Sequence, residues 1–366
     1  MIINDLLNKD NNNLDLIRII LASLVILGHT IAINGDSRYW LDPIAYFFSI
    51  TYSGALAVKI FFFISGLVVT NSYLKNDNLI YFIFSRAFRV LPALLFLLLV
   101  TVFIIGPIFT NFSLLEYFSD SNTFNYISKN MIFNTQFTLP GLFTDNLYKG
   151  SINGSLWSLL YEIKCYFFLL FSFLLIKKKR TLFLNIIFSV IFLDCFLATS
   201  TIFDQFTRNN PEVFYLPFSF AYGAFLAING SKLKINLEIV VISLFIYFIF
   251  KNTSHNELLL IIVFCNFTIY IASRKFILKL KPKFDISYGI YLWGFLVQQI
   301  VYFVFGHIYT GMHFTIALTI SIIIAYISFV YIEKPFVIFG KKASAFCMLK
   351  YDTFLEKKSN IKIINN

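Results

Sequence analysis

From Leu14 to Ile33 (LDLIRIILASLVILGHTIAI) the chain runs apolar for about twenty residues between polar flanks. A run of that length and composition reads as a membrane-crossing helix. The pattern repeats, and it predicts ten spans at about 14–34, 54–73, 87–109, 152–176, 181–199, 213–229, 237–251, 257–273, 285–306 and 314–333. Most of these runs are too long for the strands of a membrane barrel, so helices are the expected spanning structure. The fold class is therefore all-α, a polytopic membrane helix bundle of about ten transmembrane helices. Residues 42–53 (DPIAYFFSITYS) fit either an interfacial segment or the start of the second span. Residues 110–151 form the longest extramembrane segment, with Pro140-Gly141 as a turn signal. Loops of such length tend to carry function.

Composition agrees. The chain is 58% hydrophobic and 13% charged, against about a quarter charged in soluble domains. Its net charge of +11 invites a nucleic-acid reading, but the distribution argues against one. With the N-terminus in the cytoplasm, all but seven of the 30 Lys and Arg residues fall on the cytoplasmic side. The exceptions are Arg38, Lys59, Lys129, Lys149, Lys164, Arg208 and Lys251. This is the positive-inside bias, and it places both termini in the cytoplasm. The polar first 13 residues and the length of the first run speak for a retained anchor helix rather than a cleaved signal. Cys165, Cys195, Cys265 and Cys347 are scattered, which supports neither a disulfide framework nor a zinc site. The expected organisation is one membrane domain over 1–340 and a basic cytoplasmic tail over 341–366.

Ionisable side chains inside spans are costly and mark function by default. Arg18 and His29 are eleven residues apart in the first span, on faces within roughly 20° of each other and about 16 Å apart along the axis. Arg18 reads either as a snorkelling arginine or as a fixed cation of a site. His29 is either interfacial or a general base, since imidazole titrates near neutrality. Arg86 and Arg89, an i,i+3 pair at the start of the third span, suit bidentate phosphate binding or ordinary anchoring. Glu162 lies about 12–16 Å into the fourth span; it is a partner for His29 or a substrate hydroxyl, or half of an ion pair with Lys59 or Lys164. Lys59 itself is either paired with a carboxylate or interfacial. Ser65 and Gly66 are small residues that let helices approach. Ser65, Trp157, Tyr161 and Tyr288 are possible pocket residues. Glu333-Lys334-Pro335 reads as a helix stop. His255, His307 and His313 fall in or beside outward loops and read as surface residues.

Taken together, Arg18 with His29, Phe61-Phe62-Phe63-Ile64-Ser65-Gly66, Arg86-Ala-Phe-Arg89, Trp157-Ser158-Leu-Leu-Tyr161-Glu162, Ser287-Tyr288-Gly-Ile-Tyr291-Leu and Glu333-Lys334-Pro335 resemble the bacterial integral-membrane acyltransferase 3 family. The resemblance covers roughly 12 to 340. Members often carry a histidine just after the Ser-Tyr motif, where this chain has Gly294 after Trp293. Some relatives add a hydrolase-like extracytoplasmic domain, for which this chain shows no counterpart.

The resemblance implies a multi-pass protein of the bacterial cytoplasmic membrane. It would transfer an acyl group, usually acetyl, from cytoplasmic acyl-CoA to a sugar hydroxyl of a surface polysaccharide (O-antigen, capsule or exopolysaccharide) or a lipid-linked glycan. Acetyl-CoA would be a donor substrate rather than a resident cofactor. Arg18, Arg86 and Arg89 would hold the donor. His29 would act as base or carry the acyl group, with Glu162 orienting it or the acceptor. The competing reading is a transporter or flippase for a glycan or lipid-linked sugar, for which intramembrane charges also speak.

Overall fold

Each of the ten apolar runs forms a helix in the structure, a computed structural model that describes residues 1–36, 38, 41–175, 179–197 and 211–364, with side chains for all of these but 175, 211 and 351–364. Lys177, Lys178 and Arg208 lie outside the described residues, as do the last residues of the spans expected at 152–176 and 181–199. The helices are α1 (Leu14–Asn34), α2 (Ser53–Asn76), α3 (Leu79–Val100), α4 (Trp157–Leu175), α5 (Arg180–Leu197), α6 (Leu216–Ile228), α7 (Leu237–Phe250), α8 (Asn256–Ala272), α9 (Ser287–Phe305) and α10 (Thr310–Ser328). Among the described residues, seven helices are long and apolar enough to cross a membrane, and α6, α7 and α8 are shorter apolar helices. The protein is a multi-pass membrane protein.

Local chemistry sets the helix ends. The Asn13 side chain accepts from Leu16 N to start α1, and Gly35 ends it in the left-handed conformation at φ 72°. Asp42, 1% exposed, accepts from Ile44 N and Ala45 N and also from Ser53 N and Oγ. One carboxylate thus caps both the short helix Pro43–Phe48 and α2. That assigns 42–53 to a separate turn ahead of α2, with Phe47 exposed.

The expected stop at Pro335 does not occur. The tenth helix passes through a π-turn (Phe329–Glu333) and continues as Lys334–Ile364, across the boundary expected at 341. A proline normally breaks a helix because its ring meets the carbonyl four residues back. Here that residue is Tyr331, inside the π-turn, where the wider coil gives the ring room. The third helix repeats the device: a π-turn (Thr101–Ile105) precedes Gly106–Phe109, which contains Pro107.

The N-terminal segment docks at one end of the bundle. Ile3 N donates to Leu233 O and Asn4 N to Gly230 O, and Asn13 Nδ2 donates to Ile277 O at 2.6 Å. The connections after α6 and α8, which carry Lys232, Lys234 and Arg274 to Lys283, therefore share this end with the N-terminus. It is the end that the charge pattern assigns to the cytoplasm, and it is called the inner end below.

Buried apolar side chains form two main clusters. One joins α2, α4, α5, α6 and α8; the other joins α3, α9, α10 and the 110–151 segment. Helix α1 stands between them, giving Ile17, Leu21 and Val25 to the first and Ala22 and Ile26 to the second. Phe61 of α2 packs against both. The polar side chains of the candidate site lie along this seam.

Helices α2 and α6 cross almost backbone to backbone. A Cβ on Gly66 would run into the Phe220 carbonyl, and one on Gly223 into the Phe63 carbonyl. The small-residue reading of Gly66 is thus realised as reciprocal glycine packing. Gly66→Ala and Gly223→Ala should each cost about 1–3 kcal/mol by overpacking. The thermal unfolding midpoint in detergent should drop for both; an unchanged midpoint in either would show that the crossing can open without cost.

Candidate active site

At the inner end, two arginines converge on one carboxylate. Arg18 Nη1 of α1 lies 2.6 Å from Asp285 Oδ2, and Arg89 Nη2 of α3 lies 3.1 Å from the same oxygen. The other Asp285 oxygen accepts from Ser287 Oγ at 2.6 Å and Ser287 N at 3.2 Å, which ties the group to the first turn of α9. Arg89 Nη1 reaches Glu333 Oε2, also at 3.1 Å, and the Glu333 side chain has no exposed surface. Tyr288 donates its hydroxyl to Val90 O, and its ring lies 5.8 Å from the Arg89 guanidinium carbon. Arg18 and Arg89 therefore belong to one network spanning α1, α3, α9 and the π-turn after α10. Arg86 stands apart. Among the described residues it makes a long contact of 3.4 Å to Ser85 Oγ and no ion pair.

Near mid-span, Glu162 of α4 meets α2. Ser65 Oγ donates to Glu162 Oε1 at 3.2 Å, Tyr166 donates its hydroxyl to the same oxygen, and Ser65 and Tyr166 are 3.0 Å apart. Among the described residues no bond joins Glu162 to His29 or to Lys59, two of the partners expected for it. Lys59, 2% exposed, pairs instead with Glu257 of α8 at 2.6 Å and stands 4.0 Å from Glu212. Lys164 lies over the Tyr161 ring at 4.9 Å, and Tyr161 meets the Trp157 ring edge on. One turn above Glu162, Ser158 Oγ and the Tyr291 hydroxyl are 2.6 Å apart, and Tyr291 donates to Ser155 O.

His29 lies five residues before the end of α1, about 8 Å from its outer end. It lines a cavity of about 620 Å³ together with Tyr52, Phe137, Tyr148, Trp157, Glu212 and Phe295. Its ring meets Phe295 of α9 edge on at 4.9 Å. Among the described residues Nδ1 is buried without a hydrogen-bond partner, so by elimination Nε2 is the nitrogen left to face the cavity. The long 110–151 segment supplies Phe137, Tyr148, Gly150 and Ser151 to this wall, together with the neighbouring turn into α4.

The sequence-predicted residues thus divide into three groups along the seam: Arg18, Arg89 and Tyr288 inside, Ser65 and Glu162 in the middle, and His29 and Trp157 outside. Tyr161 joins the last two groups through its contact with Trp157. The partners that organise them escaped sequence reading. Asp285 sits at the edge of a run, Glu333 reads as a cap, and Tyr166 is one of 21 tyrosines. For Glu162 and Tyr166, the i,i+4 spacing was the available signal. His313 is corrected outright: it is fully buried in α10, with Nε2 3.2 Å from Gln298 O. His307 binds Asn34 O through Nδ1 at 2.6 Å, and His255 stacks on Phe196.

Comparison with known proteins agrees with the motif reading. The acyltransferase 3 family model, described as an acyltransferase domain, matches residues 11–330. An O-acetyl transferase of Shigella phage Sf6 is 30% identical over 304 residues, covering 80% of this chain and 86% of that one. Nodulation protein 10 of Rhizobium leguminosarum bv. viciae is 36% identical over 88 residues, 23% of this chain and 22% of its own. No solved structure matches. A match over nearly the whole chain, on helices that bring the motif residues into one seam, shows that this protein belongs to the acyltransferase 3 family and is a membrane acyltransferase.

Proposed function

We propose that the protein moves an acetyl group from cytoplasmic acetyl-CoA to a sugar hydroxyl of a surface polysaccharide or its lipid-linked precursor, in the cytoplasmic membrane of a bacterium. The Sf6 relative, an O-acetyl transferase, supports acetyl as the group. The observation that carries the reading is the placement of His29, with one ring nitrogen in a cavity walled by outer segments and the rest of the ring packed in the bundle.

The chemistry follows from that placement. His29 Nε2 takes the proton from the acceptor hydroxyl as its oxygen attacks the thioester carbonyl. The C–S bond breaks, and the thiolate leaves as free thiol with a proton. The edge contact with Phe295 holds the ring. Aromatic rings at Tyr148, Trp157 and Phe137 offer flat faces to a sugar. Glu162, held by Ser65 and Tyr166, lies between the two ends, with no bond to His29 among the described residues.

At the inner end, Arg86 meets the donor phosphates, since among the described residues no ion pair engages it. Arg18 and Arg89 are held in place by Asp285 and present their remaining N–H groups. Paired guanidiniums of this kind keep a fixed geometry for a bidentate anion.

His29→Ala should abolish transfer of label from radiolabelled acetyl-CoA to glycan in membranes, with the protein still folded and inserted. Normal labelling would end the assignment of His29 as base, and movement of unmodified glycan would favour a transporter. Arg86→Ala should raise the donor KM about tenfold, the loss of one charge-assisted contact, with little effect on stability. Arg89→Ala should behave differently. It strands Glu333 inside the bundle, and breaking a buried pair costs about 3–5 kcal/mol, so its thermal midpoint should fall well below that of Arg86→Ala. Equal midpoints would mean that Glu333 is not held charged by Arg89.

A further inference from the structure

A fully buried amide beside His29 has no part in the chemistry above. Gln298 of α9 is 0% exposed. Its Nε2 donates to Ile26 O at 2.8 Å and to Thr30 Oγ1 at 2.6 Å, and Thr30 Oγ1 in turn donates to Ile26 O at 2.8 Å. All these contacts fall on the single turn of α1 that carries His29. Behind Gln298, the buried His313 of α10 hydrogen-bonds its backbone carbonyl.

The opposite side of the same turn is also fixed. A Cβ on Gly28 would sit 2.8 Å from Gly54 N and 2.9 Å from the Tyr52 ring, so α1 lies hard against the start of α2. Residues 28 and 30 are 200° apart around a helix, and residue 29 is 100° from each. His29 therefore projects between two restraints, the glycine crossing on one flank and the Gln298 clamp on the other. Phe295, one turn before Gln298 on α9, touches the ring itself.

Apolar helix faces in a membrane leave rotation weakly specified, because lipid is as apolar as the partner helix; interhelical hydrogen bonds supply the missing specificity. We infer that Gln298, acting through Thr30 and Ile26, is the positioning residue for His29, fixing the rotation of α1 so that Nε2 faces the acceptor cavity. The inference rests on the reading of His29 as the base. A rotation of α1 by a fraction of a turn would carry the imidazole away from the acceptor hydroxyl, and a misplacement of about 1 Å can cost on the order of 100-fold in rate.

The test uses purified full-length protein and three variants. Gln298→Met and Thr30→Val keep the volume but remove the bonds; Thr30→Ser keeps the hydroxyl. Two readouts are taken on folded protein. One is kcat and donor KM for acetyl transfer from acetyl-CoA to glycan in membranes. The other is the rate of carbethoxylation of His29 by diethylpyrocarbonate, followed by mass spectrometry. Gln298→Met and Thr30→Val should lower kcat at least about tenfold, leave the donor KM within about twofold, and change the labelling rate of His29. Thr30→Ser should restore both. A wild-type kcat in both bond-deleting variants, beside an inactive His29→Ala, overturns the positioning role while leaving the base assignment standing. Loss of activity only in proportion to lost folded protein, with His29 labelled at the normal rate, marks Gln298 as structural and also overturns it. If His29→Ala proves active, the base assignment falls on its own. The labelling arm then decides whether Gln298 sets the ring, and an unchanged rate sinks that as well.

Discussion

A guanidinium inside an apolar bundle is tolerable only when a carboxylate and further hydrogen bonds accompany it. Asp285 meets that requirement for two arginines at once. One of its oxygens takes Arg18 and Arg89, and the other is held by Ser287 at the head of α9. Because Arg89 also holds Glu333, four polypeptide segments that share little sequence proximity are fastened at one point. The π-turn after α10 is part of the same arrangement. It lets the helix continue past Pro335, and Glu333 at its end reaches Arg89 inside the bundle. Around this fixed point the second apolar cluster is assembled, and the seam between the clusters keeps its polar lining.

The helices were legible because each is a long apolar run, and lipid permits few alternatives to a helix for such a run. All ten expected spans coincide with helices among the described residues. Individual motif residues were legible for the related reason that a charge in such a run stands out. What could not be read was pairing. Lys59 read as paired with a carboxylate or interfacial, with Glu162 as the one named candidate, yet it found Glu257, which is 198 residues away. Asp285 belongs to a connection whose polar character needs no explanation in sequence, and Glu333 sat beside a proline that argued for a helix end. His313 was misread by its nearness to a loop: four residues into α10 is already deep enough for full burial, because α9 and the end of α1 cover it.

The outer end is built by a different logic. There the bundle is held by amide and hydroxyl bonds, a backbone-saturated carboxylate and the Lys59–Glu257 pair rather than by an arginine fork. Asp42 is saturated by backbone and Ser53 donors, Asn34 bridges to Ile308 and Thr310, and Gln299 anchors the carbonyls of Tyr148 and Ser151. These bonds hold the cavity wall from behind. Asp36, just beyond α1, has its carboxyl held well below the usual range by bonds from Arg38 and Thr310, so the rim stays charged and in place at physiological pH. A cavity shaped by such bonds keeps its aromatic faces available, since none of its described lining residues is Lys or Arg.

That contrast bears on how one active site can serve a donor and an acceptor from opposite sides. In the proposed reaction, Arg18 and Arg89 at the inner mouth are paired with Asp285 and Glu333, and Arg86, without an ion pair among the described residues, is the cation left for an anionic nucleotide. The outer cavity, lined by Asp42 and Glu212, offers such a group no attraction, and the low dielectric between the ends makes any charge expensive to move. On the proposed function the nucleotide would stop at the arginines, and only an uncharged thioester arm would advance toward His29. If acyl-CoA is the donor and His29 the base, as proposed, the separation of about 16 Å between Arg18 and His29 sorts the two ends of the donor: the thioester reaches the base while the phosphates remain inside.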